Sequence, residues 1–222
     1  MPYVMKTVLI TGASRGIGKA LVKKFLENGH AVIGTSRSGM VDYSHQNHSM
    51  FPLELADTQS REACAKKITA RGTAIDILVN NAGFFHPKDV GMVFNVSVLR
   101  ETLETNLLGV VDFTERIVPL LAVGAHIVNI SSQRGSMERA KAWIDPCYSI
   151  SKAALNMCTR QLAARLAGKV TVSCAHPGYV KTDMNEGDGE ISPEESADDL
   201  YSLSMSKVET GQFWFKGEKF PW

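Results

Sequence analysis

No apolar run in this sequence approaches the roughly 20 residues that a membrane-spanning helix requires. Cysteine is scarce. The four present, Cys64, Cys147, Cys158 and Cys174, form no Cys-x-x-Cys pair, and no histidines follow at zinc-ligand spacing. A disulfide framework and a metal site are therefore not expected, and the thiols are read as free and mostly buried, in a reducing compartment. An excess of one charge is also missing: 24 Lys and Arg balance 23 Asp and Glu, for a net charge of +1. No basic stripe exists to track nucleic acid or an anionic membrane surface, so neither is expected as a partner. The first residues lack the order of charged, apolar and cleavage regions of a signal peptide, and the expectation is a cytoplasmic protein. Repeats and low-complexity tracts are absent as well.

What is there is 222 residues, 44% hydrophobic and 21% charged, an ordinary globular composition that suits one domain over residues 1–222. A chain of this size buries a large core without disulfides. Short apolar runs alternate with helical patterns. Strands are predicted at 7–10, 31–34, 75–79, 126–130, 170–174 and 211–215. Between them, Ile17, Leu21 and Phe25 mark one helix that stops at Gly29. Further helices are expected at 60–71, 98–120 (stopped near Pro119) and 148–166. Such alternation predicts an α/β fold: a Rossmann-type, doubly wound, mainly parallel sheet with helices on both faces. Ligands bind such sheets beyond the carboxyl ends of the strands. The glycine and polar clusters at 11–18, 35–38, 80–83, 131–136 and 176–182 fall at those ends. The stretch 185–199, rich in Gly, Glu, Asp and Ser, reads as irregular.

The first cluster is Thr11-Gly12-Ala13-Ser14-Arg15-Gly16-Ile17-Gly18. A glycine loop between strand and helix lets backbone amides approach a pyrophosphate, where the helix dipole favours negative charge. A tight strand–helix turn with no ligand is the plainer reading of the loop alone. Its spacing is Gly-x3-Gly-x-Gly. Together with Asn80-Asn81-Ala82-Gly83, Asn106, Ser132, Tyr148, Lys152 and Pro177-Gly178, all in order, the chain resembles the classical short-chain dehydrogenase/reductase family over nearly its whole length. The segment His176 to Met184 and the closing Phe220-Pro221-Trp222 are similar to the C-factor and carbonyl-reductase-like branch.

The resemblance implies a dinucleotide cofactor held by Gly12, Ser14, Arg15, Gly16, Ile17 and Gly18, by Asn81, Ala82 and Gly83, and by Pro177, Gly178, Val180 and Thr182. At the end of the second strand an acid would bind the adenosine ribose hydroxyls and repel a 2′-phosphate. Here Ser36 stands in that place and Arg37 follows. Arg15 and Arg37 are suited to clamp a phosphate bidentately. NADP(H) is therefore the expected cofactor, with NAD(H) second. Glu54, beside Leu55, aligns where relatives place an Asp toward the adenine amine; Glu54 and Asp57 both remain candidates for that contact.

Tyr148 and Lys152 lie four apart and so share a helix face. A nearby ammonium favours phenolate. By resemblance, Tyr148 is the general acid in carbonyl reduction, Lys152 holds the nicotinamide ribose and tunes the tyrosine, Ser132 steadies the carbonyl oxygen, and Asn106 kinks its helix and holds a proton-relaying water. Ser131 competes with Ser132, but strand alternation lets only one face the site. Phe84, Phe85, Gln133, Trp143, Cys147 and Tyr179 are the candidate pocket residues, with a substrate loop at about 183–200 acting as a lid. The long interval from Ser132 to Tyr148 predicts an enlarged pocket loop at 134–146. The expected partner is a small carbonyl or alcohol compound. Helices 98–120 and 148–166 match those that pair subunits in the family, which implies a homodimer or homotetramer. A dinucleotide-binding sensor on the same fold is the second reading. A sugar-nucleotide epimerase shares Tyr-x3-Lys, but those relatives are longer and space their glycines differently.

Overall fold

The computed structural model describes residues 4–89 and 93–222. Eight strands form one sheet in the order β3-β2-β1-β4-β5-β6-β7-β8. They are β1 (Thr7–Ile10), β2 (Ala31–Ser36), β3 (His48–Pro52), β4 (Ile75–Asn80), β5 (Leu121–Ile130), β6 (Thr171–Ala175), β7 (Gln212–Phe215) and β8 (Glu218–Lys219). All pair in parallel except β8, which runs antiparallel to β7. The expected doubly wound sheet is present.

Its two faces are read directly from alternation. Val8, Ile10, Ile77, Val79, Val128 and Ile130 point to one face, where they meet α1 (Gly16–Glu27) and α6 (Pro193–Met205). Leu9, Leu78 and Ile127 point to the other. There they meet α2 (Thr58–Thr69), α4 (Val110–Ile117) and α5 (Pro146–Arg165). Burial on both faces is why these strands read as unbroken apolar runs. Phe25 and Phe113 are fully buried, one on each face. Each such side chain contributes about 1.5–3 kcal/mol from apolar burial.

Three expectations need correction. The stretch 185–199 is not irregular throughout, because α6 occupies Pro193–Met205. Ser192 and Glu195 cap it reciprocally, with Pro193 in the first turn, the arrangement that satisfies amide groups at a helix start. The segment expected to act as a substrate loop at about 183–200 is thus helical from Pro193 onward. The helix predicted over 98–120 is also interrupted. It is α3 (Val96–Leu103), a π-helical turn at Glu104–Gly109, α4, and a short 3-10 turn at Val118–Leu120. Finally, β3 and β8 are strands beyond the six expected, and residues 37–47 join β2 to β3 with turns and no helix.

The order β3-β2-β1-β4 reverses direction between β1 and β4. That switch point opens the crevice where such sheets bind ligands. Among the described residues, no helix is long and apolar enough to cross a membrane.

Candidate active site

The glycine loop lies at that switch point. Gly12 has φ +68°, and a Cβ there would come 2.9 Å from Ala82 Cα. A Cβ on Gly18 would meet the Gly12 carbonyl oxygen at 2.1 Å. Both glycines are thus required for the loop to turn tightly and for α1 to seat against it. Asn81 locks the loop to the end of β4: its side-chain amide donates to the Thr11 and Gly12 carbonyls at 2.9 and 3.2 Å. Neighbouring Asn80 turns inward, donating to Thr114 Oγ1 and Asn129 Oδ1 at 2.9 and 2.8 Å.

The start of α1 differs from those of α2, α3 and α6. Asp57, Asn95 and Ser192 cap α2, α3 and α6 with side-chain oxygens. Arg15 gives α1 no side-chain cap, and the first turn holds no acid. The uncapped amides and the dipole's positive end suit a phosphate group. A dinucleotide pyrophosphate fits this cradle.

Arg37 is exposed at the end of β2. Buried Ser36 accepts a hydrogen bond from Gly39 N at 3.0 Å, which fixes the turn that follows. Arg15 reaches across the cleft to Asp183 at 3.0 Å. Thr182 lies over the glycine loop, since a Cβ on Gly16 would come 3.3 Å from its Cγ2. Past the end of β3, Asp57 Oδ1 is engaged as the cap of α2, and Glu54 Oε1 accepts from Ala56 N at 3.2 Å. Buried Leu55 follows Glu54, and Gly109 allows the π-helical turn to close against the Leu55 carbonyl.

Tyr148 and Lys152 lie on the first turns of α5, with Lys152 Nζ 5.6 Å from the tyrosine ring centroid. Lys152 is buried and donates to the Ile130 carbonyl at 2.9 Å. Burial lowers its pKa to about 8. Burial pushes the Tyr148 hydroxyl up to about 12, while its hydrogen bond with Ser132 pulls the other way. The lowering expected from Lys152 is not what governs the tyrosine in this chain alone; desolvation is, opposed by Ser132 and then by Arg134.

Strand alternation separates the serines as expected. Ser131 is buried with its hydroxyl toward the Lys152 carbonyl at 3.4 Å, and Ser132 faces Tyr148. Asn106 sits in the π-helical turn. Its side chain donates to the Phe84 carbonyl (2.8 Å) and Ser151 Oγ (3.1 Å), and accepts from Phe84 N (2.7 Å). A methyl group at Gly83 would lie 3.5 Å from Lys152 Nζ and 3.8 Å from Asn106 Oδ1. Ser132, Tyr148, Lys152 and Asn106 thus surround one small volume.

Phe85 stacks edge-on against Tyr148 with centroids 5.6 Å apart, and Phe84 meets His86. Gln133 and Trp143 line a depression beside the site. Tyr179 is exposed and donates its hydroxyl to Asp188. Val180 pairs with Ile191, and Lys181 N bonds the Ile191 carbonyl at 3.0 Å, so residues 179–191 fold back on themselves. Gly178 takes φ +90°, and the Pro177 carbonyl accepts from Ser196 at 2.7 Å, tying this turn to α6. Cys147 departs from its expected pocket role: it is buried, with Sγ toward the Asn95 carbonyl, and its thiol is pushed up to about 11.

One residue was missed by the sequence. Buried Asp89 accepts from Cys147 N at 3.1 Å and from Tyr148 N at 2.8 Å. The residue before α5, Asp145, has φ 47° and makes no side-chain cap. Asp89 therefore caps α5 from 59 positions before Tyr148. Nothing in local sequence marks it.

A model of the short chain dehydrogenase family matches residues 6–191. The chain is 31% identical over 215 residues to a 3-oxoacyl-[acyl-carrier-protein] reductase of Vibrio harveyi, covering 93% of this chain and 83% of the relative. It is 30% identical to an NADPH-dependent pterin aldehyde reductase of Arabidopsis thaliana, covering 81% of this chain and 76% of that one. Among solved structures, NADPH-bound carbonyl reductase from chicken fatty liver superposes with a TM-score of 0.86 at 28% identity, covering 99% and 100% of the two chains. A short-chain dehydrogenase/reductase structure from Burkholderia multivorans with bound NADP gives 0.90 at 26% identity, also covering 99% and 100%.

Proposed function

The chain belongs to the short chain dehydrogenase family, and from that premise we propose that it is an NADP(H)-dependent reductase of aldehydes or ketones. The observation that carries this reading is the convergence of Ser132, Tyr148, Lys152 and Asn106 beside the crevice at the β1–β4 switch point. Reduced NADP supplies the hydride when bound.

The chain's own residues do the rest. Tyr148 donates its proton to the carbonyl oxygen as negative charge develops there. Ser132 donates a hydrogen bond to the same oxygen and holds the tyrosine hydroxyl in line. Lys152, with a pKa near 8, keeps its charge at neutral pH and stabilises the phenolate left behind. Its ammonium also holds the nicotinamide ribose hydroxyls. Asn106 keeps the Phe84 backbone fixed at the edge of this volume and holds the relay water.

NADP(H) rather than NAD(H) is supported by the missing acid at Ser36 and by the exposed guanidiniums of Arg15 and Arg37. In this reading Arg15 exchanges Asp183 for the 2′-phosphate, a low-cost exchange because exposed ion pairs contribute only about 0–1 kcal/mol. A homodimer or homotetramer assembled through the helical segments 98–120 and 148–166 is supported by exposed Leu108, Val111 and Met157.

The test is NADPH consumption over a panel of carbonyl compounds, with Tyr148→Phe as control. Turnover in the native chain and at least a ~100-fold loss in the variant are expected, the upper reach of general acid catalysis being about 10⁴-fold. Full activity in Tyr148→Phe rejects the mechanism. Arg37→Asp should shift preference from NADPH toward NADH.

A further inference from the structure

Beside the reacting groups the surface sinks into a depression of about 380 Å³. That is within the range of pockets that hold metabolite-sized ligands. Arg134 links it to the chemistry: the guanidinium charge acts on the Tyr148 hydroxyl and the Arg134 amide donates to Ser132 Oγ. Its lining holds Arg134, Arg139 and Lys141 and no carboxylate. In a chain of net charge +1, that is a local concentration of one sign. The nearby acids include Asp145, 3.5 Å from Arg134 Nε, buried Asp89 at the start of α5, and Glu138, exposed on the same loop. Phe94 and Trp143 form an aromatic wall, with ring centroids 4.7 Å apart.

Two of the three cations are held in place. Arg134 N donates to Ser132 Oγ at 3.2 Å, so this residue is tied to the catalytic serine. Arg139 lies 5.1 Å over the Phe220 ring, and Glu138 N donates to the Trp222 carbonyl at 2.9 Å. The C-terminal aromatic segment thus buttresses the 134–146 loop, and less ordering remains to be done on binding.

We infer that this depression receives an anionic group on the substrate: the carbonyl compound reduced here carries a carboxylate or phosphate on an apolar or aromatic stem, held by Arg134, Arg139 and Lys141. The inference rests on the reductase reading above and names its substrate class. Arg134 and Arg139 present planar forks to an anion, and Lys141 adds a point charge at the rim. The Phe94–Trp143 wall covers the stem.

The experiment compares matched substrates by NADPH consumption. One pair is 4-carboxybenzaldehyde against methyl 4-formylbenzoate. The other is acetoacetyl-coenzyme A against acetoacetyl-N-acetylcysteamine. A kcat/KM at least about tenfold higher for the anionic member is expected in one pair at low salt, shrinking as salt screens it. The pair showing the gap tells a small carboxylate from a pantetheine-linked phosphate. In Arg139→Gln the gap should close to within a few-fold. Lys141→Glu, which leaves the Phe220 stack untouched, should do the same or invert it. Equal turnover within both pairs, or a gap undiminished in both variants, overturns the inference while the reductase reading stands. Benzoate binding to NADPH-saturated protein, read by calorimetry, tests the cations without turnover. Tenfold weaker binding in Lys141→Glu supports the anion site even where all four carbonyls go unreduced, a result that would count against the reductase reading alone.

Discussion

At the scale of single residues, Ser131 and Ser132 show how one backbone step decides between packing and chemistry. Successive side chains at the end of a strand face opposite ways. Ser131 goes inward toward the Lys152 carbonyl, and Ser132 goes outward to Tyr148. The hydroxyl of Tyr148 is pushed up to about 12 by burial, and the Ser132 hydrogen bond is the largest opposing influence. Ser132→Ala should therefore have two effects. It should reduce kcat by about 10²–10³-fold, as the loss of a donor at a developing oxyanion does. It should also push the Tyr148 hydroxyl further up, read by phenolate absorbance titration, because the opposing hydrogen bond is gone. Ser131→Ala should leave kcat within a few-fold and the tyrosine unshifted. Equal losses in the two variants would mean that the serine assignment is wrong.

At the scale of elements, what the sequence made legible depended on local signals. The strands of the central sheet were readable because burial on both faces leaves a bare apolar run. β3 was not, because His48–Pro52 is only partly buried and mixes polar with apolar residues. α6 hid behind Gly, Glu and Asp, although Ser192-Pro193-Glu194-Glu195 carried a full start signal. The π-helical turn around Asn106 left the helical pattern intact and showed only as a kink inferred by family likeness. Tyr148 and Lys152 were legible as a four-residue interval on one helix. Asp89 was not, since its partners are the amides of Cys147 and Tyr148, brought to it only by the tertiary fold. This contact fixes where α5 begins and therefore where Tyr148 stands. Asp89→Ala should destabilise the protein by about 1–2 kcal/mol, as loss of a helix cap does. For a chain of this length the melting temperature should drop by roughly 2–8 °C. The Tyr148 hydroxyl would be less well placed, so kcat should fall further than KM rises. Asp89→Asn keeps one acceptor oxygen for the two amides and should recover only part of both losses. Unchanged melting in Asp89→Ala would show that another group caps α5.

At the scale of the whole molecule, the doubly wound sheet gathers its polar ends at one edge and leaves three buried histidines, His30, His126 and His176, of which the last two are shifted furthest. His126 lies between strand and helix, with Nδ1 3.3 Å from the Ser204 carbonyl and Nε2 2.8 Å from Ser173 Oγ. A carbonyl only accepts, so Nδ1 carries the proton and Nε2 accepts from the serine. His176 is buried against Phe215 and Phe220. Burial lowers both rings to about 4. Unfolded, each titrates near its ordinary value of ~6.5. Between those values the unfolded chain binds more protons than the native one, so stability falls as pH falls from about 6.5 to about 4. Each histidine costs on the order of 3 kcal/mol over that span. The carboxylates held low by ion pairs or hydrogen bonds, among them Asp112 with Arg116 and Arg61, titrate below this window. They add their losses only in stronger acid, so the two groups separate on the pH axis. Urea midpoints measured from pH 7 to pH 4 should decline steadily. In His126→Asn and His176→Gln the midpoint at pH 7 should be lower and the decline shallower, because one proton-uptake step is gone from each. A midpoint that stays level from pH 6.5 to 4.5 in the native chain would mean that neither ring is held neutral by the fold.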